Sequence, residues 1–429
     1  MLLNQRDKKY FEYVKILKEE LIPATGCTEP IALAYAAAKA REVLGALPAI
    51  CRVEVSGNII KNVKSVVVPN TNGLKGIEAA LAAGITVGDP SKMLEVLSEI
   101  KEEYKPKIAE FQKQHEISIV PYEGDAVFYI DVTLFAGDSY SKVVIENYHT
   151  NIVLIEKNGE ELFKTGTSDE NTIGVTDRSL LNVKDIIDFA DTVELSDIQD
   201  VIERQIEYNS AISAEGMASD WGANIGKTLI DTYGSDIKVR ARAVAAAGAD
   251  ARMGGCEMPV IILSGSGNQS LTASLPVIEY AYELNIPHDK LIRALALSNL
   301  IAIHQKTSIG RLSAFCGAVS AGCAAGAGIA YLSDGKFDAI SHTVVNALAV
   351  VSGMVCDGAK ASCAAKIAMA VDAGILGFSM YQNGQQFFSG DGIVTKGVDS
   401  TIANIGRMAS RGMRETDREI LYIMVDRNC

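Results

Sequence analysis

The sequence predicts an α+β protein in which a mainly all-α C-terminal domain follows a smaller α+β domain. Alternating apolar and polar residues, typical of strands, are confined to residues 49–155. From Leu180 onward, nearly every stretch has helical periodicity and is rich in Ala and Gly. Hydrophobic residues make up 48% and charged residues 22% of the 429 residues, which allows a large buried core. We expect domain limits of 1–48 (N-terminal helices packing on the helical domain), 49–165 (α+β) and 166–429 (all-α).

The N-terminal segment is predicted to contain two helices, over residues 7–21 and 31–44, joined by a turn. Gly26 permits the turn, and Thr28 is the expected N-cap of the second helix. Cys27 would then precede a helix N-terminus, where the dipole lowers the pKa of a thiol and favours the thiolate. We interpret Cys27 as a catalytic group, with a buried structural cysteine as the alternative.

The middle block is predicted to form an antiparallel sheet with two helices, over residues 76–83 and 91–111. Its strands are expected at residues 51–56, 66–68, 117–120, 126–135 and 141–155. His149 lies in the polar stretch 147–151, whose side chains can hydrogen-bond a substrate carboxylate or amine. A single histidine at a strand end is often structural, so the sequence leaves both roles open.

The helical half contains two Gly-containing motifs, predicted to be loops between helices: residues 250–255, with Arg252, and residues 264–269. The second motif precedes a helix expected to begin near Ser270. Backbone N–H groups of such a loop bind anions. The motif lacks the Lys-Ser/Thr ending of a nucleotide-binding loop, so a substrate carboxylate fits better than a phosphate. An ordinary helix connection is the alternative.

Four cysteines lie between Leu312 and Ala370, in sequence dominated by Gly, Ala, Ser and Val. Cys356 and Cys363 are seven positions apart with a Gly-containing turn between them, so both can face one soft metal centre. Cys316 would come from a neighbouring helix, whereas Cys323 has no motif partner. Three thiolates can hold three irons of a [4Fe–4S] cluster and leave the fourth iron open. The alternative is a set of small buried side chains.

Charge and composition exclude several classes of protein. The net charge of −13 argues against nucleic acid as a partner and fits a small-molecule substrate. Eight cysteines in a chain without a secretory signal are expected to be reduced, which indicates the cytoplasm. Residues 312–332 are an uncharged run of 21 residues, long enough to span a bilayer. Because small residues dominate this run, helix packing inside a protein is favoured over a membrane role.

Together these motifs resemble the cysteine desulfidases, which are related to the α part of iron–sulfur L-serine dehydratases. The resemblance spans nearly the whole chain, in the expected order. It is carried by residues 26–30 (Gly-Cys-Thr-Glu-Pro), 149–151 (His-Thr-Asn), 250–255, 264–269, 311–316 and 352–363. Each motif is weak by itself, and the set is specific.

The resemblance implies a carbon–sulfur lyase with a [4Fe–4S] cluster that converts L-cysteine to pyruvate, ammonia and sulfide. Cys316, Cys356 and Cys363 would be the cluster ligands, with Cys27 as an alternative to Cys363 and Cys429 as a second alternative, in the manner of a C-terminal ligand. Cys27 and His149 are the candidates for the general base. The expected substrate-binding residues are Thr28, Glu29, Thr150, Asn151, Arg252, Ser264, Gly265, Ser266, Asn268 and Gln269.

Three alternatives stay open at this point. The first is the same chemistry on L-serine, the second is a membrane carrier built from the small-residue helices, and the third is a pyridoxal-phosphate lyase. No lysine near the motifs has a setting that favours a Schiff base. We expect no membrane partner, and the sequence leaves a homo-oligomer open.

Overall fold

Helices dominate the structure, a computed structural model that describes residues 8–165, 176–310 and 312–425. Arg311 and Cys429, which the sequence analysis named, lie outside the described residues. The α+β class predicted from the sequence is confirmed. The helices are α1 (Lys8–Glu20), α2 (Thr28–Leu44), α3 (Gly57–Val63), α4 (Gly76–Val87), α5 (Lys105–Gln114), α6 (Val183–Thr192), α7 (Gln199–Ala218), α8 (Ile225–Tyr233), α9 (Ile237–Gly254), α10 (Gly267–Glu283), α11 (His288–Ile309), α12 (Gly317–Leu332), α13 (Phe337–Val351), α14 (Ser362–Gln382), α15 (Val398–Arg407) and α16 (Arg414–Val425).

The strands form one large sheet and one small pair. They are β1 (Pro23–Thr25), β2 (Ile50–Val55), β3 (Glu116–Pro121), β4 (Tyr129–Ala136), β5 (Ser139–Glu146), β6 (Ile152–Lys157), β7 (Glu160–Lys164) and β8 (Pro259–Ile261). The large sheet has the order β3-β2-β4-β5-β6-β7. Helix α2 packs on β4 and β5. Strands β1 and β8 pair antiparallel, which joins the segment before α2 to the segment before α10.

The large sheet differs from the predicted one in three respects. It is mixed, because β2 and β3 run parallel. The expected strand over residues 66–68 is absent, and Val67 makes only an isolated bridge to Lys75. The expected strand over residues 141–155 is a hairpin of β5 and β6 with a turn at 147–151. Strand β7, which was not expected, follows a turn at Asn158 and Gly159.

Two helix predictions are wrong. The helix expected over residues 91–111 is two 3₁₀ turns followed by α5, since Met93 has a positive φ of 47° and Pro106 lies in the first turn of α5. Residues 250–254 are the last turn of α9, where a loop was expected. Asp236 caps the start of this helix through the N–H groups of Lys238 and Val239, and Gly255 ends it in the left-handed conformation.

The core of the helical half is centred on α12, which packs against α10, α11, α13 and α14. Small residues let α12 and α14 approach closely: a Cβ on Gly322 would lie 2.3 Å from the carbonyl oxygen of Ala370, and one on Gly374 would lie 2.2 Å from that of Gly322. The Gly- and Ala-rich composition is therefore a packing requirement.

One helix in the described part of the chain, α14, is long and apolar enough to cross a membrane. It packs against α9, α12 and α13, and 56% of its most apolar window is buried inside the protein. A core helix of a folded protein has these properties. Helix α12, which accounts for most of the uncharged run, has only 16 residues.

Candidate active site

A single cavity brings together most of the residues that the sequence analysis named. It lies among the N-terminal ends of α2, α10, α12 and α14 and includes the β5–β6 turn. About 790 Å³ of space is free of atoms, including the open mouth. Its lining includes these predicted residues: Cys27, Glu29, His149, Arg252, Ser264, Gly265, Ser266, Asn268, Gln269, Cys316, Cys356 and Cys363.

Two backbone hydrogen bonds set the positions of Cys316 and Cys356. An isolated antiparallel bridge joins Phe315 to Val355. The N–H of Cys316 donates to the carbonyl of Met354 at 3.1 Å, and the N–H of Cys356 donates to that of Ala314 at 2.6 Å. Cysteines 40 positions apart in sequence are thus fixed side by side.

Cys363 reaches the same wall from the first turn of α14. Burial, and the nearby thiols of Cys356 and Cys363, raise the pKa of Cys316 to about 12, so these sulfur atoms interact electrostatically. Lys366 opposes this effect, and its ammonium group donates to the carbonyl of Val355 at 2.9 Å and forms an ion pair with Asp357. Lys366 therefore places a positive charge, paired with Asp357, near the thiols and outside the cavity lining.

The thiols fit an iron–sulfur cluster better than a single ion. Within the described ranges, no three His, Cys, Asp or Glu side chains are grouped so as to hold one metal ion. A [4Fe–4S] cluster binds each thiolate to a different iron, so its ligands are farther apart. Three thiols on one wall, with space beside them, match that donor set. Cys323 is fully buried in α12 and does not line the cavity.

Cys27, Glu29 and His149 form a second group on the cavity wall. The Cys27 thiol donates to Oε2 of Glu29 at 3.1 Å, and Nε2 of His149 lies 3.9 Å from Oε1 of the same carboxylate. Phe128 packs edge-on against the His149 ring at 4.7 Å between centroids. Burial tends to raise the pKa of Glu29, but His149 and the Cys27 thiol outweigh it and lower the pKa to about 2. Glu29 is therefore an anion.

The expectation of a Cys27 thiolate is not met. Cys27 itself occupies the N-cap position of α2, with Thr28 as the first helical residue, so the predicted cap is also shifted by one residue. Burial and the charge of Glu29 raise the pKa of Cys27 well above 9.0, and Arg252 opposes them only in part. The local carboxylate and the loss of water outweigh the helix dipole, and the thiol stays protonated.

Arg252 and the segment 264–269 form one wall of the cavity, called the anion-binding wall after the role expected from the sequence. Ser266 caps α10 by accepting a hydrogen bond from the N–H of Gln269. Arg252 is 2% exposed, and its Nη1 donates to Oδ1 of Asn268 at 2.9 Å. Its Nε and Nη2 are buried without a hydrogen-bond partner in the described part of the chain. Two unused guanidinium donors beside a helix N-terminus suit a carboxylate.

The remaining predicted residues lie outside the cavity lining. Thr28 is buried, and its hydroxyl lies 2.8 Å from the carbonyl of Gly265, so it connects α2 to the anion-binding wall. Thr150 and Asn151 do not line the cavity, and the Asn151 amide donates to the carbonyl of Glu146 within the turn. A substrate contact by these three residues stays a prediction.

Two polar lining residues, Asn62 and Lys306, were not among the predicted site residues. Asn62 lies on α3, a short helix that was read as part of the strand-rich block. Lys306 lies near the C-terminal end of α11, which is a predicted helix, but no motif singled it out. Their positions depend on tertiary packing, and no local pattern marks them.

Comparison with known proteins places the chain among relatives over its whole length. The family model described as serine dehydratase alpha chain matches residues 91–422. The chain is 59% identical over 426 residues to a UPF0597 protein of Desulfitobacterium hafniense, covering 99% of each chain. It is 50% identical over 417 residues to a UPF0597 protein of Lachnoclostridium phytofermentans, covering 97% of this chain and all of the relative.

Proposed function

The chain belongs to the serine dehydratase alpha chain family, and from this premise we propose that it is a [4Fe–4S]-dependent L-cysteine desulfidase. The proposed reaction is a β-elimination that, with one water, gives pyruvate, ammonia and hydrogen sulfide. The observation that carries the proposal is the shared cavity, where three thiols, an anion-binding wall and a carboxylate–imidazole pair surround one space.

Cys316, Cys356 and Cys363 are proposed to hold the cluster. When bound there, it would supply a soft Lewis acid matched to a sulfur leaving group. Its assembly requires the thiols to lose their protons, and Lys366 favours this ionisation by its charge.

Arg252 is proposed to orient the substrate by binding its carboxylate. Two nitrogen donors of its guanidinium group are buried without a hydrogen-bond partner. Because a buried charged donor without an acceptor is unfavourable, a carboxylate there would be held firmly. The N-terminus of α10 adds its partial positive charge. Fixing this end of a three-carbon amino acid leaves its Cβ substituent free to face the wall formed by Cys316, Cys356 and Cys363, the thiol wall.

His149 is proposed as the base that removes the Cα proton. Glu29 remains anionic 3.9 Å away and stabilises the imidazolium that forms. Cys27 is protonated and donates to Glu29, so we propose that it orients the carboxylate and is not the base. As the C–S bond breaks, its electron pair leaves with sulfur, and the resulting aminoacrylate hydrolyses to pyruvate and ammonia.

L-Serine is the second candidate substrate, because the family description names serine dehydratase. The two reactions differ in the leaving group, and a soft iron site favours sulfide over hydroxide. Anaerobically reconstituted protein should release pyruvate from L-cysteine with a higher kcat/KM than from L-serine, together with stoichiometric sulfide. A preference for L-serine would transfer the proposal to that substrate.

A titration tests directly whether the substrate sulfur approaches the cluster. L-Cysteine should perturb the visible spectrum of protein loaded with the cluster (the loaded protein). L-Alanine, which keeps the amine and carboxylate but lacks sulfur, should perturb it far less at equal concentration. Equal responses to the two amino acids, or sulfide release by iron-free protein, would overturn the mechanism.

A further inference from the structure

Asn62 lies in the last turn of α3 and lines the active-site cavity between Glu29 and the loop that carries Cys356 and Cys363. Its side chain is buried, with 6% of the residue exposed. The amide Nδ2 donates to Oε1 of Glu29 at 3.2 Å. No motif in the sequence pointed to this residue.

The hydrogen bond to Glu29 fixes which way the amide faces. Both oxygens of the Glu29 carboxylate accept hydrogen bonds, Oε1 from the Asn62 amide and Oε2 from the Cys27 thiol and the Thr28 hydroxyl, so the NH₂ group of Asn62 faces it. Oδ1 must then face the other way. It is buried and has no hydrogen-bond partner within residues 8–165, 176–310 and 312–425. A buried acceptor without a donor is unfavourable, which indicates that a ligand supplies the donor.

The charge around this oxygen selects the kind of donor. Glu29 gives this part of the cavity a negative charge, whereas Arg252 gives the anion-binding wall a positive one. We infer that Oδ1 of Asn62 binds the α-ammonium group of the substrate, while Arg252, in the same cavity, takes the carboxylate. This assignment rests on the proposed function and restricts its substrates to α-amino acids. An analogue that lacks the amine would leave Oδ1 unsatisfied, and one that lacks the carboxylate would leave Arg252 unsatisfied.

The test compares two ligands that differ only in the amine: L-cysteine and 3-mercaptopropionate, which has the same thiol and carboxylate. Dissociation constants are measured by anaerobic titration of the loaded protein and by calorimetry. Asn62→Leu should raise the dissociation constant of L-cysteine by about tenfold to a hundredfold, the range for a hydrogen bond to a charged group, and leave that of 3-mercaptopropionate nearly unchanged.

Asn58→Ala is the matched control. Asn58 lies one turn earlier on α3, and its Nδ2 donates to Asp417 at 3.0 Å, away from the active-site cavity. Its loss should leave the ratio of the two dissociation constants at the wild-type value. If Asn62→Leu fails to retain iron, Asn62→Ala removes the acceptor oxygen without adding bulk and should likewise lose the preference for the amine.

The outcomes separate this inference from the proposed function. Equal weakening of both ligands by Asn62→Leu, or an amine preference retained in Asn62→Ala, overturns the role of Asn62 even when the wild type turns over L-cysteine. A wild-type protein that neither turns over nor responds spectroscopically to L-cysteine or L-serine overturns the proposed function itself.

Discussion

Gly358 holds the loop between Cys356 and Cys363 against α3. Its substitution by alanine tests whether this contact fixes the positions of these two thiols. The residue has a φ of +91°, and a Cβ there would lie 2.2 Å from the carbonyl oxygen of Lys61. That oxygen belongs to the backbone of a helix, so it cannot rotate away. The loop must shift or the helix must move.

The expected loss of stability follows from two separate effects. A non-glycine residue at positive φ costs about 1–3 kcal/mol. Forcing a methyl group into an occupied space adds about 1–3 kcal/mol. Gly358→Ala should therefore lower the free energy of unfolding by about 2–6 kcal/mol, or less where the loop relieves the contact by moving. Either response displaces Cys356 and Cys363 relative to Cys316, so the variant should retain much less iron.

Gly353→Ala is the control, since Gly353 lies in the same connection between α13 and α14 and a Cβ there would meet nothing within 4 Å. Its effect should stay within about 0.5 kcal/mol. The assay is anaerobic urea unfolding of iron-free protein, followed by iron determination after reconstitution. If the two variants are equally stable and retain equal iron, the contact with α3 does not position the thiols.

Three further predictions concern thiols and the charge beside them. Cys316→Ala and Cys356→Ala should each give protein with little iron and no visible colour, whereas Cys323→Ala should retain both; full iron in the Cys356 variant would refute the cluster. Because the folded pKa of Cys27 lies above the unfolded value of 9.0, the stability it contributes is complete below pH 9 and declines at higher pH. Iron-free Cys27→Ala should therefore lose less stability between pH 8 and 10 than the wild type, as measured by urea unfolding, and equal losses would contradict a buried neutral thiol. Lys366→Met should lower the reduction potential of the cluster-loaded protein in a redox titration, because a cation beside the thiols stabilises the more negative, reduced state. Arg242→Met is the control: it removes the ion-pair partner of Asp372, which lies on α14 like Lys366, and should leave the potential unchanged.

Periodicity predicted most of the helices because large apolar side chains mark the buried face. The last turn of α9 was predicted as a loop, because the buried face of this helix consists mainly of alanines, which give little contrast with the rest of the helix. The three-residue strands β1 and β8 were missed for a different reason. Each is too short to show alternation, and only their pairing with each other, more than 230 positions apart, makes them strands.

The site was predicted where chemistry is concentrated in short motifs, and it was missed where packing alone supplies a residue. Cys316, Cys356 and Arg252 stood out by residue type and by neighbouring glycines. Asn62 did not, because an asparagine at the end of a short helix has no local signature. The protonation state of Cys27 could not be read from its helix position, since the carboxylate that raises its pKa acts through a buried geometry that sequence does not display.

Packing of the small-residue helices also explains how an acidic protein can have a cavity with positive potential. The chain carries a net charge of −13, yet the cavity receives the N-terminal ends of α2, α10, α12 and α14, with Cys27, Ser266 and Cys316 at three N-caps. Each end contributes a partial positive charge. Only glycines and alanines let α12 and α14 lie close enough for two of these ends to meet. The composition that resembles a membrane span in the sequence is thus what concentrates positive potential where a substrate carboxylate and thiolate ligands would lie.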